Sequence, residues 1–151
     1  MSFWRPTGSS TEVTDAAIAT FAKRCSVTKT GSQSITSGAD RTVTWDAERF
    51  DTDTMHDTVT NNDRITFNTA GDYFIGADVV TSGNTNQATK IKMNAGGTII
   101  AETESSNGNP QGYTVGTVYT FSQGDYIFVT ATVGTTVNVT NESSFFAYRI
   151  G

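Results

Sequence analysis

No leucine occurs anywhere in the 151 residues. Leucine is a leading helix former and the usual filler of helical seams. Its place is taken by 28 threonines, 12 valines, nine isoleucines and nine phenylalanines. These β-branched and aromatic side chains fit a pleated surface better than a helix. Helical bundles, coiled coils and leucine-rich solenoids are excluded in practice, and an all-β fold is expected. A net charge of -5 and 11% aromatic content place the chain among folded rather than disordered sequences.

The length suits one domain with one core. The only adjacent pair of basic residues is Lys23-Arg24, so the basic stripe that nucleic acid requires is missing and no nucleic-acid partner is expected. No apolar run approaches a membrane span, so no membrane partner is expected. The opening MSFWRPTGSS does not read as a secretory signal. With Cys25 the single cysteine, no internal disulfide can form, and synthesis in a reducing cytoplasm is expected.

Residues 1–19 read as an N-terminal arm and residues 20–151 as the head domain. In the arm, Phe3, Trp4 and Arg5 precede a polar stretch. Thr14 to Ala19 could cap and start a short helix, or the segment could run extended into the first strand, the reading preferred here. From residue 20 onward about ten short strands alternate with turn residues and no helix intervenes. That spacing predicts an antiparallel jelly-roll sandwich, because parallel strands need long crossovers. Lys90–Met93 and Thr98–Ala101 should form a hairpin across Asn94-Ala95-Gly96-Gly97. Residues 46–63, rich in acids, are expected to form one long loop.

A sandwich strand buries one face and wets the other. Three strands break that rule. Tyr73, Ile75, Ala77 and Val79 alternate with Phe74 and Val80; Ile127, Val129, Ala131 and Val133 with Tyr126 and Phe128; Phe145 and Ala147 with Phe146, Tyr148 and Ile150. A second apolar face is a liability unless a partner covers it, and another copy of the chain is the simplest partner. Phe74, Tyr126, Phe128, Phe146 and Tyr148 are therefore the expected contact residues.

Several segments then fall into a familiar order. Cys25-Ser26-Val27-Thr28 and Gln33-Ser34-Ile35 precede Trp45-Asp46-Ala47-Glu48-Arg49-Phe50-Asp51-Thr52-Asp53 and Met55-His56-Asp57. Arg64-Ile65-Thr66-Phe67, Ala70-Gly71-Asp72-Tyr73-Phe74-Ile75, Gly124-Asp125-Tyr126-Ile127 and the closing Phe145-Phe146-Ala147-Tyr148-Arg149-Ile150-Gly151 follow. In this order and spacing residues 22–151 resemble the globular head of the complement and tumour-necrosis-factor-like superfamily, in the form found in bacteriophage structural proteins. The resemblance implies a ten-strand jelly roll, a homotrimer with the two-faced strands around the threefold axis, and binding without catalysis. No Gly-X-Y stalk precedes the head, which departs from the complement pattern.

His56 is the only histidine, so any triad would have to use it, and nothing around Cys25 reads as a nucleophile motif. No catalytic residue and no cofactor is expected. Asp46, Glu48, Asp51, Asp53, Asp57 and Asp63 raise a calcium reading, but the glycine of an EF-hand loop is missing and no metal site is expected. The resulting expectation is a virion structural protein: a trimeric capsid decoration protein on the outer shell. Its arm, through Phe3, Trp4 and Arg5, would grip the major capsid protein. The alternative is a tail or fibre tip that binds a host surface receptor or glycan through loops such as Asn84-Thr85-Asn86 and Asn107-Gly108-Asn109.

Overall fold

The computed structural model describes residues 23–83, 86–105 and 112–151. The arm residues Phe3, Trp4 and Arg5 and the candidate helix near Thr14 lie outside them. The described strands are β1 Arg24–Thr28, β2 Gln33–Ile35, β3 Arg41–Thr42, β4 Ala47–Asp51, β5 Arg64–Thr66, β6 Gly71–Val80, β7 Gln87–Met93, β8 Thr98–Ser105, β9 Gly112–Phe121, β10 Tyr126–Val133, β11 Val137–Val139 and β12 Ser144–Arg149. One sheet has the order β4-β1-β12-β6-β9. In the other, β10 is flanked by β7 and then β8 on one side, and by the short β3 and β5 on the other. β11 and β2 form a separate ribbon. Every pairing is antiparallel, and the two sheets make the expected jelly-roll sandwich.

Alternation explains why the two sheets close on each other. Tyr73, Ile75, Ala77 and Val79 of β6, with Phe145 and Ala147 of β12, are buried against Ile127, Val129, Ala131 and Val133 of β10 and Ile91 of β7. Aromatic rings fill one end. Phe67 stacks on Phe121 at 3.8 Å between centroids, and Tyr73 meets Phe67 edge-on at 4.6 Å. The Tyr73 hydroxyl reaches the surface of this cluster and donates to the Thr69 carbonyl at 2.8 Å. Trp45 lies 5.7 Å from Phe145 and is fully buried. The chain turns into β6 at Gly71, whose φ of 148° sits in the region that side chains resist. A β-carbon there would come within 2.4 Å of the Gly151 carbonyl oxygen.

One element differs from expectation. The stretch 46–63 is not one loop: Ala47–Asp51 pairs with β1 as an edge strand. An edge strand keeps one side open, so Glu48 and Arg49 stay exposed while the backbone still pairs. The acids disguised a strand that needs little burial. Conversely, the apolar Val43 and Trp45 are buried but lie between strands. Their backbone amides go to single carbonyls, Val129 at 2.9 Å and Asn62 at 2.7 Å. The 90–101 hairpin forms, with Asn94 and Gly97 at positive φ.

The outer face of the β10–β7–β8 sheet is tied together by charge. Asp40 accepts hydrogen bonds from Lys90 at 3.2 Å and from Lys92 and Thr132, and Lys90 also lies 3.4 Å from Glu102. Burial alone would raise the Asp40 carboxyl, but these donors outweigh it and hold its pKa at about 2, below the ordinary 3.8. A carboxyl depressed in the folded state stabilises the fold above its unfolded pKa and loses that contribution as pH falls through the folded value. The Tm difference between the native chain and Asp40→Asn should therefore be full above about pH 4 and shrink toward pH 2. A difference that stayed constant over that window in thermal melts would contradict it. Phe121→Ala should cost about 3–5 kcal/mol in chemical denaturation, the usual range for deleting a packed core ring.

Candidate functional site

The outer face of the first sheet carries two rows of apolar side chains. Registers place Phe50, Ser26, Phe146, Gly76 and Gly116 in one row across β4, β1, β12, β6 and β9. The next row toward the chain's entry point holds Arg24, Tyr148, Phe74 and Val118. The rings form a continuous track: Phe50 to Tyr148 at 5.8 Å, Tyr148 to Phe146 at 5.2 Å and Phe146 to Phe74 at 5.5 Å. Arg24, the one charge in these rows, lies over the Phe50 ring at 4.8 Å. Phe74 is 43% and Val118 55% exposed, and the outward row beyond them, Asp72 and Thr120, is polar.

Small residues shape this surface. The Phe146 ring lies over Gly76, where an added β-carbon would sit 2.4 Å from its Cζ. Gly116 pairs directly with Gly76, and its β-carbon would come within 3.0 Å of the Ile75 carbonyl oxygen. Two glycines facing each other in mid-strand weaken a sheet unless something needs the close approach. Here Gly76 leaves the space into which the tip of the Phe146 ring reaches. Above the rings the row Thr28, Ser144, Asp78 and Thr114 is polar, so the apolar area covers only the half of the face nearest Arg24.

The five contact residues expected from the sequence do not share one surface. Phe74, Phe146 and Tyr148 belong to the track. Tyr126 and Phe128 stand on β10, in the opposite sheet, and face away from it. There Arg64 covers the Tyr126 ring at 4.4 Å, and Phe128 has Lys92 and Arg64 as cross-strand neighbours. Alternation tells which side chains of a strand point outward; it does not tell which sheet the strand joins. Sequence reasoning also missed Phe50, because it lies in the supposed loop, and Val118, because its strand reads as alternating the other way. The paired mid-strand glycines were the available signal.

The His56 side chain is buried, with Nδ1 3.1 Å from Glu48 and Nε2 3.5 Å from the Asn62 carbonyl. No hydroxyl or thiol is among its partners. Burial first, then the charges of Asp51 and Glu48, push the Cys25 thiol far above its ordinary value, which makes it a poor nucleophile. The acids of 46–63 are spent on local bonds: Asp46 on Thr30, Asp51 on the amides of Asp53 and His56, Asp53 on Lys23 and Thr69, Asp57 on the amides of Val59 and Thr60, and Asp63 on Arg64. Among the described residues no three His, Cys, Asp or Glu gather where a metal ion could be held.

The two poles of the molecule differ. The described chain enters at Lys23, whose carbonyl accepts from the Arg149 amide, next to Tyr148 and the C-terminal Gly151. The connections β6–β7 and β8–β9 leave from the far end, where Val80 pairs with Gly112 and Gln87 with Ser105. Of the expected recognition loops, Asn86 is described, while Asn84, Thr85 and Asn107 to Asn109 lie outside the described residues.

No protein-family profile and no curated protein matches the chain. Among solved structures it is similar to the globular domain of the zebrafish complement 1qA protein, with a TM-score of 0.60 and 15% identity over 85% of this chain and 98% of that one. The head therefore has the antiparallel two-sheet jelly-roll fold of a complement 1q globular domain.

Proposed function

We propose that this chain is a non-catalytic assembly and binding module: a homotrimeric virion structural protein that decorates a bacteriophage capsid. The observation that carries the assembly part is the track Phe50–Tyr148–Phe146–Phe74 beside the paired Gly76 and Gly116. Phe74 is exposed and Phe50, Phe146 and Tyr148 are half-buried, so each would gain part of the about 1.5–3 kcal/mol that full burial of such a side chain is worth, before association costs. Three copies meeting around an axis through this face would hide the track, and the family resembled by the sequence assembles in that way.

The phage context rests on the sequence resemblance. The site of attachment follows from polarity. Arms leaving at Lys23 in all three copies would emerge together at one end of such a trimer. Phe3, Trp4 and Arg5 of each arm would then reach the major capsid protein, and three linked contacts bind far more tightly than one. The protein would be made in the host cytoplasm and end on the outer surface of the virion.

Light scattering of the native chain at micromolar concentration should give three times the monomer mass. Phe146→Asp would place a carboxylate in each buried seam, and an unpaired buried charge costs about 2–5 kcal/mol. It should therefore raise the dissociation constant on the order of 100-fold while the β-sheet circular dichroism stays intact. Gly76→Ala should lift the Phe146 ring and weaken assembly in the same direction without adding charge. A folded native monomer would sink the reading. Deleting residues 2–12 should leave the trimer but abolish binding to undecorated capsids; capsids that remain fully decorated would remove the arm's role.

A further inference from the structure

A single copy of the chain leaves its ring track uncovered, and a segment of the same chain is within reach of it. One row of that face runs Arg24, Tyr148, Phe74 and Val118 across β1, β12, β6 and β9. Phe74 and Val118 are its exposed members. The row begins one residue after Lys23, where the described chain enters. Lys23 is fixed at that point. Its carbonyl accepts from the Arg149 amide at 2.9 Å, and its ammonium group pairs with Asp53.

Phe3 and Trp4 are the only aromatic residues among the first 20, and the stretch after them, Thr7-Gly8-Ser9-Ser10-Thr11-Glu12, is polar. Trp4 stands 19 positions before Lys23. A Gly/Ser-type linker of that length has an average end-to-end distance of about 24 Å. Neighbouring strands lie ~4.8 Å apart, so the row from β1 to β9 extends about 14 Å. The tether therefore suffices for every point of the row. A segment linked over a span it can bridge acts at an effective concentration in the millimolar range. A second copy at micromolar concentration competes against that advantage.

We propose that in the single copy Phe3 and Trp4 of the chain's own arm lie on the Tyr148–Phe74–Val118 row, and that assembly displaces them. The two rings and the neighbouring copies compete for one apolar surface. Under the arm, the face is covered against indiscriminate association. Once copies seal the face, the same rings are released to grip a partner outside the assembly. Masking and attachment are then exclusive states of two side chains, and only assembled copies present a free grip. The displacement rests on the seam reading, whereas the masking does not.

The chain has two tryptophans, Trp4 and the fully buried Trp45, so Trp45→Phe leaves Trp4 as the only indole. Rapid dilution of this full-length variant from urea gives folded single copies before they meet, and acrylamide quenching then reads Trp4. In single copies Trp4 should be quenched at least threefold less than free N-acetyltryptophanamide at every protein concentration. It should become as open as the free compound once trimers form. Phe3→Ser combined with Trp4→Ser in the otherwise native chain should speed the concentration-dependent phase of assembly at least fivefold. Where Trp45→Phe fails to fold, binding of an anilinonaphthalene dye to single copies takes the place of quenching and should rise at least threefold in that double variant. A shielded Trp4 in a chain that never assembles upholds the masking and removes the seam. An open Trp4 in single copies of a chain that does assemble removes the masking and leaves the seam. An unchanged assembly rate, or a Trp4 still shielded in the trimer, overturns the displacement. Shielding that grows with protein concentration puts the arm on a neighbouring copy and overturns the inference.

Discussion

Strands β6 and β12 sit side by side within one sheet, and each must satisfy two apolar surroundings at once. Their inner residues, Tyr73, Ile75, Ala77, Val79, Phe145 and Ala147, close the sandwich. Their outer residues, Phe74, Phe146 and Tyr148, lie against one another, Phe50 and the glycines Gly76 and Gly116. Because the side-chain period of a strand is two, neither set can move inward without expelling the other. The core and the outer track are thus built by the same two strands through alternate residues. The separation explains why a face so rich in rings coexists with a well-packed interior that does not need it.

Much of this was readable from residue order. The missing leucines, the threonines and the turn spacing gave the sheet class, and alternation assigned inner and outer positions on β6, β10 and β12 correctly. What alternation could not give is the partner of each strand. Tyr126 and Phe128 were grouped with Phe74 because all are outward rings, yet β10 pairs with β7 and not with β6. Sheet membership is set by long-range pairing, which leaves no local trace. Phe50 was hidden for a different reason. Its neighbours Glu48, Arg49 and Asp51 are charged, and at an edge strand charge is harmless to pairing, so polarity there says nothing about strand or loop.

The glycines teach a related lesson. Gly76 and Gly116 look like weak points in otherwise strong strands, and local propensity counts against them. At Gly76 the reason lies on the same chain: the Phe146 ring occupies the space that a β-carbon would take.

The two outer faces also decide between themselves which one can be a dry seam. On the β10–β7–β8 sheet Asp40, Lys90, Lys92 and Glu102 form a linked set of charges. In water such a set costs little, but moving it into a dry interface would strip each ion of hydration at several kcal/mol apiece, which mutual attraction only partly returns. The track on the other sheet contains one cation, Arg24, already resting on the Phe50 ring, and guanidinium is the least costly of the cationic groups to desolvate. Of the two outer faces, the ring-bearing one would therefore lose less hydration if it were covered, and the charged one is better left in water.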